Sequence, residues 1–526
     1  MRLFRWFAFA LLVAACGKND QPAPQAPAVT LSVLAGSELK DMEPLLPSIQ
    51  AATGVTLQVH YSGTLDAVEK LQAGEAYDLA WLSSNRYALL TPGVKERIHA
   101  SERTMITPVV LGLKASKARE LGWIDNPNVT WKDIADAAGQ GRFTFGMTSP
   151  SSSNTGFSGL LGLAAALSGK GDALEAKDVD AKGLTAFFRA QRLTSGSSGW
   201  LADAYVKEQD RIDGMINYAN VLLALNRGGQ LREPLALIYP QEGILTADYP
   251  LMLLDASKRD AYDKVVSYLR STEVQKKILD TTLRRPVNPE VPVDAKLYPA
   301  TLIELAFPAR YEVVNAILDS FDSELRRPAD ATFVLDISGS MKGARLDALK
   351  GSMAALAGGD ASLSGRYARF RSRERIVIVP FDDRARAPTI FEMGTTRDGN
   401  ERVLTNVKQL TGSLEVQGGT AIYDAVQAAY SAAIARRMAD RGAGRYYSIV
   451  LMTDGENRNG KSFADFERWY RGLRPADQGI RIFPILFGEA KPAELEALAQ
   501  LSGGRVFDGR KSDSLAAVFK EIRSYQ

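Results

Sequence analysis

The sequence predicts an α/β protein with two folded units behind a short N-terminal leader. Strand, polar-loop and helix patterns repeat from Val29 onward, and a second series of the same kind begins at Ala331. In the second series the segments RIVIV and SIVLM are almost continuously apolar, which is typical of parallel strands covered by helices on both faces. The alternation predicts a doubly wound, Rossmann-like fold of about 195 residues for the C-terminal unit.

Composition restricts the classes of function. The chain has 526 residues, and its 64 basic side chains nearly balance 61 acidic ones. This balance argues against nucleic acid as a partner, because proteins that bind it usually carry a basic stripe. His60 and His99 are the only histidines and Cys16 is the only cysteine. Catalysis by Ser-His-Asp or Cys-His groups and a histidine-rich zinc site are therefore disfavoured, and no disulfide can form within the chain.

The first residues have the pattern of a targeting signal. Arg2 and Arg5 give a basic start, an apolar run extends to Val13, and small residues precede Cys16. The run is shorter than the ~20 residues of a membrane-spanning helix. The segment LVAAC resembles a bacterial lipobox, which implies a lipoprotein signal peptide over residues 1–16 and a lipidated cysteine. An ordinary secretory signal with an incidental cysteine is the alternative.

Residues 17–28 are polar and rich in proline and alanine, so they are predicted to form a flexible tether. The lipobox resemblance implies a protein anchored by lipid in the bacterial cell envelope. In a Gram-negative cell, Gly17 after the cysteine resembles the outer-membrane sorting pattern. The folded part is then expected to face the periplasm or the cell surface.

Hydroxyl side chains follow three successive predicted strands of the first unit. The segment VTLSVLAG ends before Ser37, VTLQVHY leads into Ser62-Gly63-Thr64, and YDLAWLSS ends in serines. The carboxyl ends of parallel strands meet at one sheet edge, where ligands bind and helix N-termini offer N–H groups to anions. Serine and threonine are also ordinary helix caps, but three such groups in succession favour a ligand site.

Residues 29–300 resemble a type 2 bacterial solute-binding protein, near the molybdate-binding group. The segments that carry the resemblance are VLAGSELKDMEPLLPSIQAATGVTLQVHYSGT, YDLAWLSS, FTFGMTSPSSSNTGFSGLLGL and PLALIYPQEGILTADYPLMLL. It implies two α/β lobes, as in periplasmic binding proteins, that close over a small solute, often an oxyanion. The chain should return to the first lobe near IYPQEG. The implied ligand contacts are Ser37, Ser62, Gly63, Thr64, Ser83, Thr148, Ser149, Thr155, Tyr218 and Asn220.

A helical connector is predicted over residues 301–330, and the C-terminal unit follows. Its strands are predicted at Ala331–Leu335, Arg375–Pro380, Pro388–Glu392, Tyr447–Met452, Arg481–Phe487 and Arg505–Phe507. Its helices are predicted at Ala344–Leu356, Glu401–Leu410, Ala421–Met438, Phe463–Leu473, Ala493–Leu501 and Ser514–Ser524.

Oxygen-bearing side chains recur at the strand ends of the C-terminal unit. The first strand ends in VLDISGSM, where Asp336, Ser338 and Ser340 alternate along the loop so that their oxygens can converge. Thr420 in GGTAIYD and Asp454 in LMTDGEN are expected at the same sheet edge. Two carboxylates and three hydroxyls, without nitrogen or sulfur, suit a hard divalent cation such as Mg²⁺.

An enzymatic role for this motif is disfavoured. An aspartate at the end of a first strand could be a phosphoryl-accepting nucleophile. Phosphatases of the haloacid dehalogenase type have a second acid two residues later, and here that position is Ser338. The phosphate-binding pattern G-x-x-x-x-G-K-[ST] is absent from this strand. We therefore expect a binding protein and not an enzyme.

Residues 331–526 resemble a von Willebrand factor type A domain. Its metal-ion-dependent adhesion site (MIDAS) has the pattern D-x-S-x-S, then T, then D, and all five positions are present. The resemblance implies Mg²⁺, with Mn²⁺ or Ca²⁺ as alternatives, and a protein partner that adds an acidic side chain to the metal.

The main hypothesis is an envelope-anchored lipoprotein that mediates cation-dependent protein–protein interaction. The alternative is a transport or sensing receptor for a small solute or oxyanion, in which the type A domain is a scaffold. An adaptor for a cytoplasmic ATPase, a role of some type A domains, does not match the lipobox.

Overall fold

The computed structural model describes residues 29–360, 365, 368–440, 444–488, 492–510 and 515–525. The predicted signal peptide, Cys16 and the tether over residues 17–28 lie outside the described residues. None of the helices in the described ranges has the length and apolar character needed to cross a membrane.

The N-terminal unit contains eleven described strands and twelve described α-helices. The strands are β1 (Val29–Gly36), β2 (Val55–Ser62), β3 (Leu79–Trp81), β4 (Ala100–Arg103), β5 (Thr107–Lys114), β6 (Phe145–Thr148), β7 (Gln191–Ser195), β8 (Gly214–Tyr218), β9 (Leu235–Ile238), β10 (Thr246–Ala247) and β11 (Pro250–Leu253). The helices are α1 (Leu46–Thr53), α2 (Thr64–Gln72), α3 (Arg86–Leu90), α4 (Ala115–Leu121), α5 (Trp131–Gly139), α6 (Asn154–Ser168), α7 (Ala181–Arg189), α8 (Ser198–Glu208), α9 (Ala219–Arg227), α10 (Arg259–Leu269), α11 (Thr272–Thr282) and α12 (Tyr311–Ser320).

Two mixed sheets define two lobes. The first lobe has the strand order β2-β1-β3-β11-β4, in which β1 is parallel to β2 and to β3. The second lobe has the order β10-β5-β8-β6-β7, and β9 pairs with β5. Because β11 belongs to the first sheet while β10 pairs in the second, the chain returns to the first lobe between these two strands. The predicted two-lobed α/β architecture is confirmed.

The connector is helical only in its second half. Helix α12 begins at Tyr311, shortly after Pro308, and a π-helical turn over Phe321–Leu325 continues it. Before the helix, Glu304 pairs as a β-bridge with Ile244, and a proline disfavours helical backbone at the residue before it. The predicted helix over residues 301–310 is therefore wrong. Ile317 and its neighbours on α12 join the apolar core of the N-terminal unit.

The C-terminal unit is a six-stranded sheet with helices on both faces. Its strands are β12 (Ala329–Asp336), β13 (Arg375–Phe381), β14 (Thr389–Glu392), β15 (Tyr446–Thr453), β16 (Arg481–Leu486) and β17 (Phe507–Asp508). Its described α-helices are α13 (Ala344–Ala354), α14 (Arg397–Gly412), α15 (Ile422–Ala439), α16 (Phe463–Arg471), α17 (Pro492–Ser502) and α18 (Leu515–Arg523). The order is β14-β13-β12-β15-β16-β17, and β14 alone among these strands runs antiparallel to its neighbour.

Two separate apolar clusters cover the faces of this sheet. One contains Phe333 and Phe519, and the other contains Val334 and Tyr430. Neighbouring residues Phe333 and Val334 thus point to opposite faces, and both are fully buried. Burial on both faces explains why the strands are almost continuously apolar, and it confirms the predicted doubly wound fold.

The C-terminal unit contacts the second lobe. The rings of Trp200 and Tyr525 meet edge to face at 4.9 Å. Glu208 at the end of α8 forms an ion pair with Arg481 at the start of β16. Arg327, at the end of the connector, donates a hydrogen bond to the backbone oxygen of Gln191 over 3.0 Å. Aromatic, ionic and backbone contacts therefore join the two units.

Candidate metal centre and ligand cleft

The predicted metal ligands lie at one edge of the C-terminal sheet. Asp336 is the last residue of β12, and Asp454 directly follows β15. These two strands are parallel neighbours, with Leu335 opposite Met452, so their carboxyl ends emerge together. Thr420 lies just before α15, whose start faces the same edge.

The structure brings all five predicted ligands together. Ser338 Oγ lies 3.1 Å from Ser340 Oγ, and Ser340 Oγ donates to Asp454 Oδ1 over 2.8 Å. The Ser338 N–H donates to Asp336 Oδ1 over 2.8 Å. A Cβ atom added at Gly455 would lie 3.5 Å from Ser340 Oγ and 3.9 Å from Thr420 Oγ1. The Thr420 hydroxyl thus belongs to the same oxygen cluster.

Asp336 is fully buried in this cluster. Its Oδ2 atom accepts a hydrogen bond of 2.6 Å from Thr453 Oγ1. Burial raises the pKa of the Asp336 carboxyl to about 6, against the opposing effect of the hydrogen bonds from Ser338 and Thr453. The sequence analysis missed Thr453. Its signal is its place directly before Asp454, at the end of β15, the strand that pairs with β12.

Arg345 lies at the edge of the cluster. Its Nη1 atom is 2.6 Å from Asp454 Oδ2 and donates over 3.4 Å to the backbone oxygen of Ser340. Arg345 is in the first turn of α13, so the helix that follows the VLDISGSM loop carries a positive charge to Asp454. The sequence analysis missed this residue as well. Its only signal is its position, five residues after Ser340.

The loop that carries Thr420 is fixed by backbone contacts. The Gly339 N–H donates to the backbone oxygen of Gly418 over 3.3 Å, and Gly418 has a φ of 52°, a conformation that favours glycine. The Thr420 N–H donates to Asn459 Oδ1 over 3.1 Å. Contacts within the protein therefore hold the Thr420 loop from both sides.

The donor set fits a hard divalent cation. Of the described residues, no three or more His, Cys, Asp or Glu side chains are grouped so that they could hold a metal, so a cation here would depend on hydroxyl oxygens. Asp336, Ser338, Thr420 and Asp454 are buried, whereas Ser340 is exposed. The cluster therefore opens to solvent on the Ser340 side. Mg²⁺ suits such a site, because it accepts few protein ligands and keeps several waters.

A cavity of about 750 Å³ lies between the two lobes and the C-terminal unit. Five of the predicted ligand contacts line it, namely Ser37, Ser62, Gly63, Tyr218 and Asn220. The lobes approach closely beside it, because a Cβ atom at Gly63 would lie 2.6 Å from the backbone oxygen of Ser152. The hydroxyl groups of both lobes thus face one space.

The other predicted contacts lie elsewhere. Thr148 and Thr155 are fully buried, and their hydroxyl oxygens bond to each other over 2.7 Å. Thr64 is buried at the start of α2, and Ser149 lines a separate, smaller cavity. Ser83 stands behind the wall of the large cavity, where its hydroxyl donates to Glu38.

Charged groups on the cavity wall were missed by the sequence analysis. Glu38 Oε1 accepts hydrogen bonds from Ser83 and, over 3.0 Å, from the Tyr218 hydroxyl. The buried guanidinium of Arg284 bonds to Asp41 Oδ2 over 2.7 Å. Burial raises the pKa of the Asp41 carboxyl, and Arg284 opposes this rise. Arg284 is 243 positions from Asp41 in the sequence, so no local pattern predicts their pairing.

The C-terminal unit forms part of the same cavity wall. Arg505, Lys520, Arg523 and Tyr525 line it, and Lys520 and Arg523 belong to the last helix, α18. The solute-binding-like unit and the C-terminal unit therefore share one cleft.

Comparisons with known proteins divide the chain at the same place. Residues 31–281 match the family described as bacterial extracellular solute-binding protein, and residues 330–521 match the von Willebrand factor type A domain. An uncharacterized protein of Synechocystis sp., sll0103, is 30% identical over 185 residues. That match covers 35% of this chain and 38% of the relative's length.

Solved structures resemble the N-terminal unit. The sulfate-binding protein SubI from Mycobacterium tuberculosis H37Rv is 19% identical, and the match covers 54% of this chain and 93% of that chain with a TM-score of 0.39. The periplasmic binding protein AfuA from Actinobacillus pleuropneumoniae is 14% identical, with coverage of 56% and 98% and a TM-score of 0.42. The ferric binding protein from Campylobacter jejuni is 12% identical, with coverage of 55% and 95% and a TM-score of 0.41.

The fold, the two matched ranges and the strand-end motifs agree. The chain consists of a bacterial extracellular solute-binding domain followed by a C-terminal von Willebrand factor type A domain.

Proposed function

We propose that this chain is an envelope-anchored lipoprotein that binds a protein partner through a divalent cation in its type A domain. The observation that carries the proposal is the convergence of two carboxylates and three hydroxyls at one sheet edge, with an opening beside Ser340. By resemblance to the MIDAS, Ser338, Ser340 and Thr420 would contact Mg²⁺ directly. Asp336 and Asp454 would act through water.

The open side of this site explains why it would recognise a protein. A cation held by few protein ligands keeps coordination positions that an acidic side chain of a partner can fill. Arg345 contacts Asp454 at the same opening, so a carboxylate arriving there meets a positive side chain as well as the cation. Both features favour an acidic contact residue on the partner.

The proposed function involves no catalysis. Asp336 is held by the Ser338 N–H and by the Thr453 hydroxyl, so both of its oxygens accept hydrogen bonds inside the protein. Its carboxylate is thereby kept from acting as an exposed nucleophile. These contacts support a role in orienting ligands around a cation.

A second candidate function is that of a receptor for a small solute, and the 750 Å³ cavity favours it. This volume lies within the range of about 300–1,000 Å³ that is typical of small-molecule sites. The cavity wall carries both acidic and basic side chains, among them Glu38, Arg284 and Lys520. Its charge therefore does not select between a small organic solute and an oxyanion.

Mg²⁺ is expected to stabilise EDTA-treated protein against thermal unfolding, because a ligand that binds only the native state adds about 2.7 kcal/mol at 100 times its Kd. Asp336→Ala should abolish the rise in Tm, since it removes one of two carboxylates from the site. Asp398→Asn, which changes an exposed acid of the same domain, should retain it. Differential scanning fluorimetry measures the effect, and an equal rise in Asp336→Ala would contradict the metal assignment.

Partner capture from an envelope extract should depend on the same site. With Mg²⁺ present, the full chain and its Asp398→Asn variant are expected to retain a partner. EDTA or Asp336→Ala should reduce its recovery by about tenfold or more, which corresponds to a loss of roughly 1.4 kcal/mol in binding. Quantitative mass spectrometry measures the recovery. Undiminished capture by Asp336→Ala would refute cation-dependent binding.

Lipidation is tested separately at Cys16. Metabolic labelling with an alkyne fatty acid should mark the wild-type chain, while Cys16→Ser should remain unlabelled, because no other cysteine exists in the chain. A membrane anchor that relies on acyl chains requires this modification. Labelling of the Cys16→Ser variant, or its absence from the wild type in a producing bacterium, would contradict the lipoprotein assignment.

The receptor function predicts a solute that raises Tm through the cleft. A panel of oxyanions, amino acids and sugars can be screened by thermal shift. Ser37→Trp should abolish the response by filling the cavity, because Ser37 lies exposed on its wall. The Mg²⁺ response of this variant should be unchanged. A response of equal size in Ser37→Trp would place the solute elsewhere, and no response from any panel member would count against a receptor.

A further inference from the structure

A small second cavity lies where the second lobe, the end of the connector and the C-terminal unit meet. Its volume is about 30 Å³, and four arginines line it, namely Arg192, Arg326, Arg327 and Arg371. Ser149 and Thr194 contribute hydroxyl groups to the same wall. Among the described residues that line the cavity, none is an aspartate or a glutamate.

Two of these guanidinium groups donate only to neutral acceptors. Arg326 bonds to the backbone oxygens of Asp322, Arg327 and Ser372. Arg327 bonds to those of Gly444, Gln191 and Arg445. Each guanidinium has five N–H groups, so these three hydrogen bonds leave two donors on each residue. Backbone carbonyls satisfy donors but cancel no net charge.

Carboxylates near the cavity do not balance its positive charge. Arg371 pairs with Asp322 at 3.3 Å, and Arg523 behind it pairs with Glu374 at 2.6 Å. Arg192, Arg326 and Arg327 form no ion pair with a described residue, so these three charges beside the cavity lack a carboxylate partner in the described part of the chain.

Burial and the neighbouring positive charges lower the pKa values of two of these arginines. Burial, together with the charge of Arg371, lowers the pKa of Arg326 to about 9. Burial and the nearby Arg192 lower the pKa of Arg327 to about 10. Both groups still carry their full charge at neutral pH. An excess of buried positive charge is unfavourable without a counter-ion.

We propose that this cavity binds one compact inorganic anion, of the class of sulfate or phosphate. Guanidinium groups bind such oxyanions through paired N–H donors, and the two hydroxyls can supply further hydrogen bonds. The cavity is small, at about two to three times the ~10–15 Å³ that one water needs in the same measure, so it suits a compact group of a few heavy atoms.

The proposed anion joins three parts of the chain. Arg192 belongs to β7 of the second lobe, Arg326 and Arg327 end the connector, and Arg371 belongs to the C-terminal unit. Neutralising these groups together would hold the type A domain against the solute-binding domain. This site shares Arg371 with the wall of the large cleft but none of its other lining residues, and it does not depend on the proposed function.

The test uses the full chain in detergent and a low-chloride buffer. Sodium sulfate, added at ionic strength matched with sodium acetate, should raise the wild-type Tm saturably by about 3 °C or more. Arg192→Gln should lose most of this rise and still fold, because Arg192 is exposed on one side. The matched control is Arg189→Gln, an exposed arginine three positions earlier, which should respond as the wild type does.

A second variant places a negatively charged side chain in the cavity in place of the proposed anion. Ser149→Asp places a carboxylate in the cavity, so it should abolish the response to sulfate. The cleft-filling variant Ser37→Trp should keep the response, which separates this site from the large cavity. Sulfate also stabilises proteins in general by exclusion from their surfaces. A non-saturating rise of equal size in wild type, Arg192→Gln and Ser149→Asp would therefore overturn the proposal.

Discussion

Parallel pairing of β12 with β15 is the constraint on which the metal centre depends. The register that places Leu335 opposite Met452 makes both strands end at the same height. Asp336 is therefore level with Thr453, and Asp454 follows one residue later at the same sheet edge. Thr453, the last residue of β15, donates its hydroxyl to Asp336 across the strands. A slip of one residue in this register would turn the side chains of one strand to the opposite face and break the hydrogen bond between Thr453 and Asp336.

The sequence predicted this site because its signals are local and repeat at strand ends. The strand predicted at Tyr447–Met452 is observed at Tyr446–Thr453, and the helix predicted at Ala344–Leu356 is observed at Ala344–Ala354. Apolar runs and alternating hydroxyls are visible in short windows, and strand ends determine where the oxygens converge. The chemistry of the candidate site therefore needed little long-range information.

Features that depend on distant pairs escaped prediction. The ion pair between Arg284 and Asp41 joins positions 243 residues apart, and nothing beside either residue signals it. The contact between Arg345 and Asp454 across the sheet edge also joins distant positions, so it escaped prediction for the same reason. The sequence of the first half of the connector favours a helix. The β-bridge between Glu304 and Ile244, together with Pro308, prevents a helix there. Tertiary contacts decide such cases.

At the junction between the two domains, packed helices connect the cation site to the large cleft. Helix α18 packs against α13, and α13 carries the Arg345 that contacts Asp454. Directly after α18, Tyr525 packs on Trp200, and Lys520 on the helix itself lines the large cleft. A continuous series of packed elements therefore runs from the cation site to the cleft wall. Energetic coupling along such a series requires an element with two arrangements; α18 lines the cleft directly and reaches the cation site only through α13.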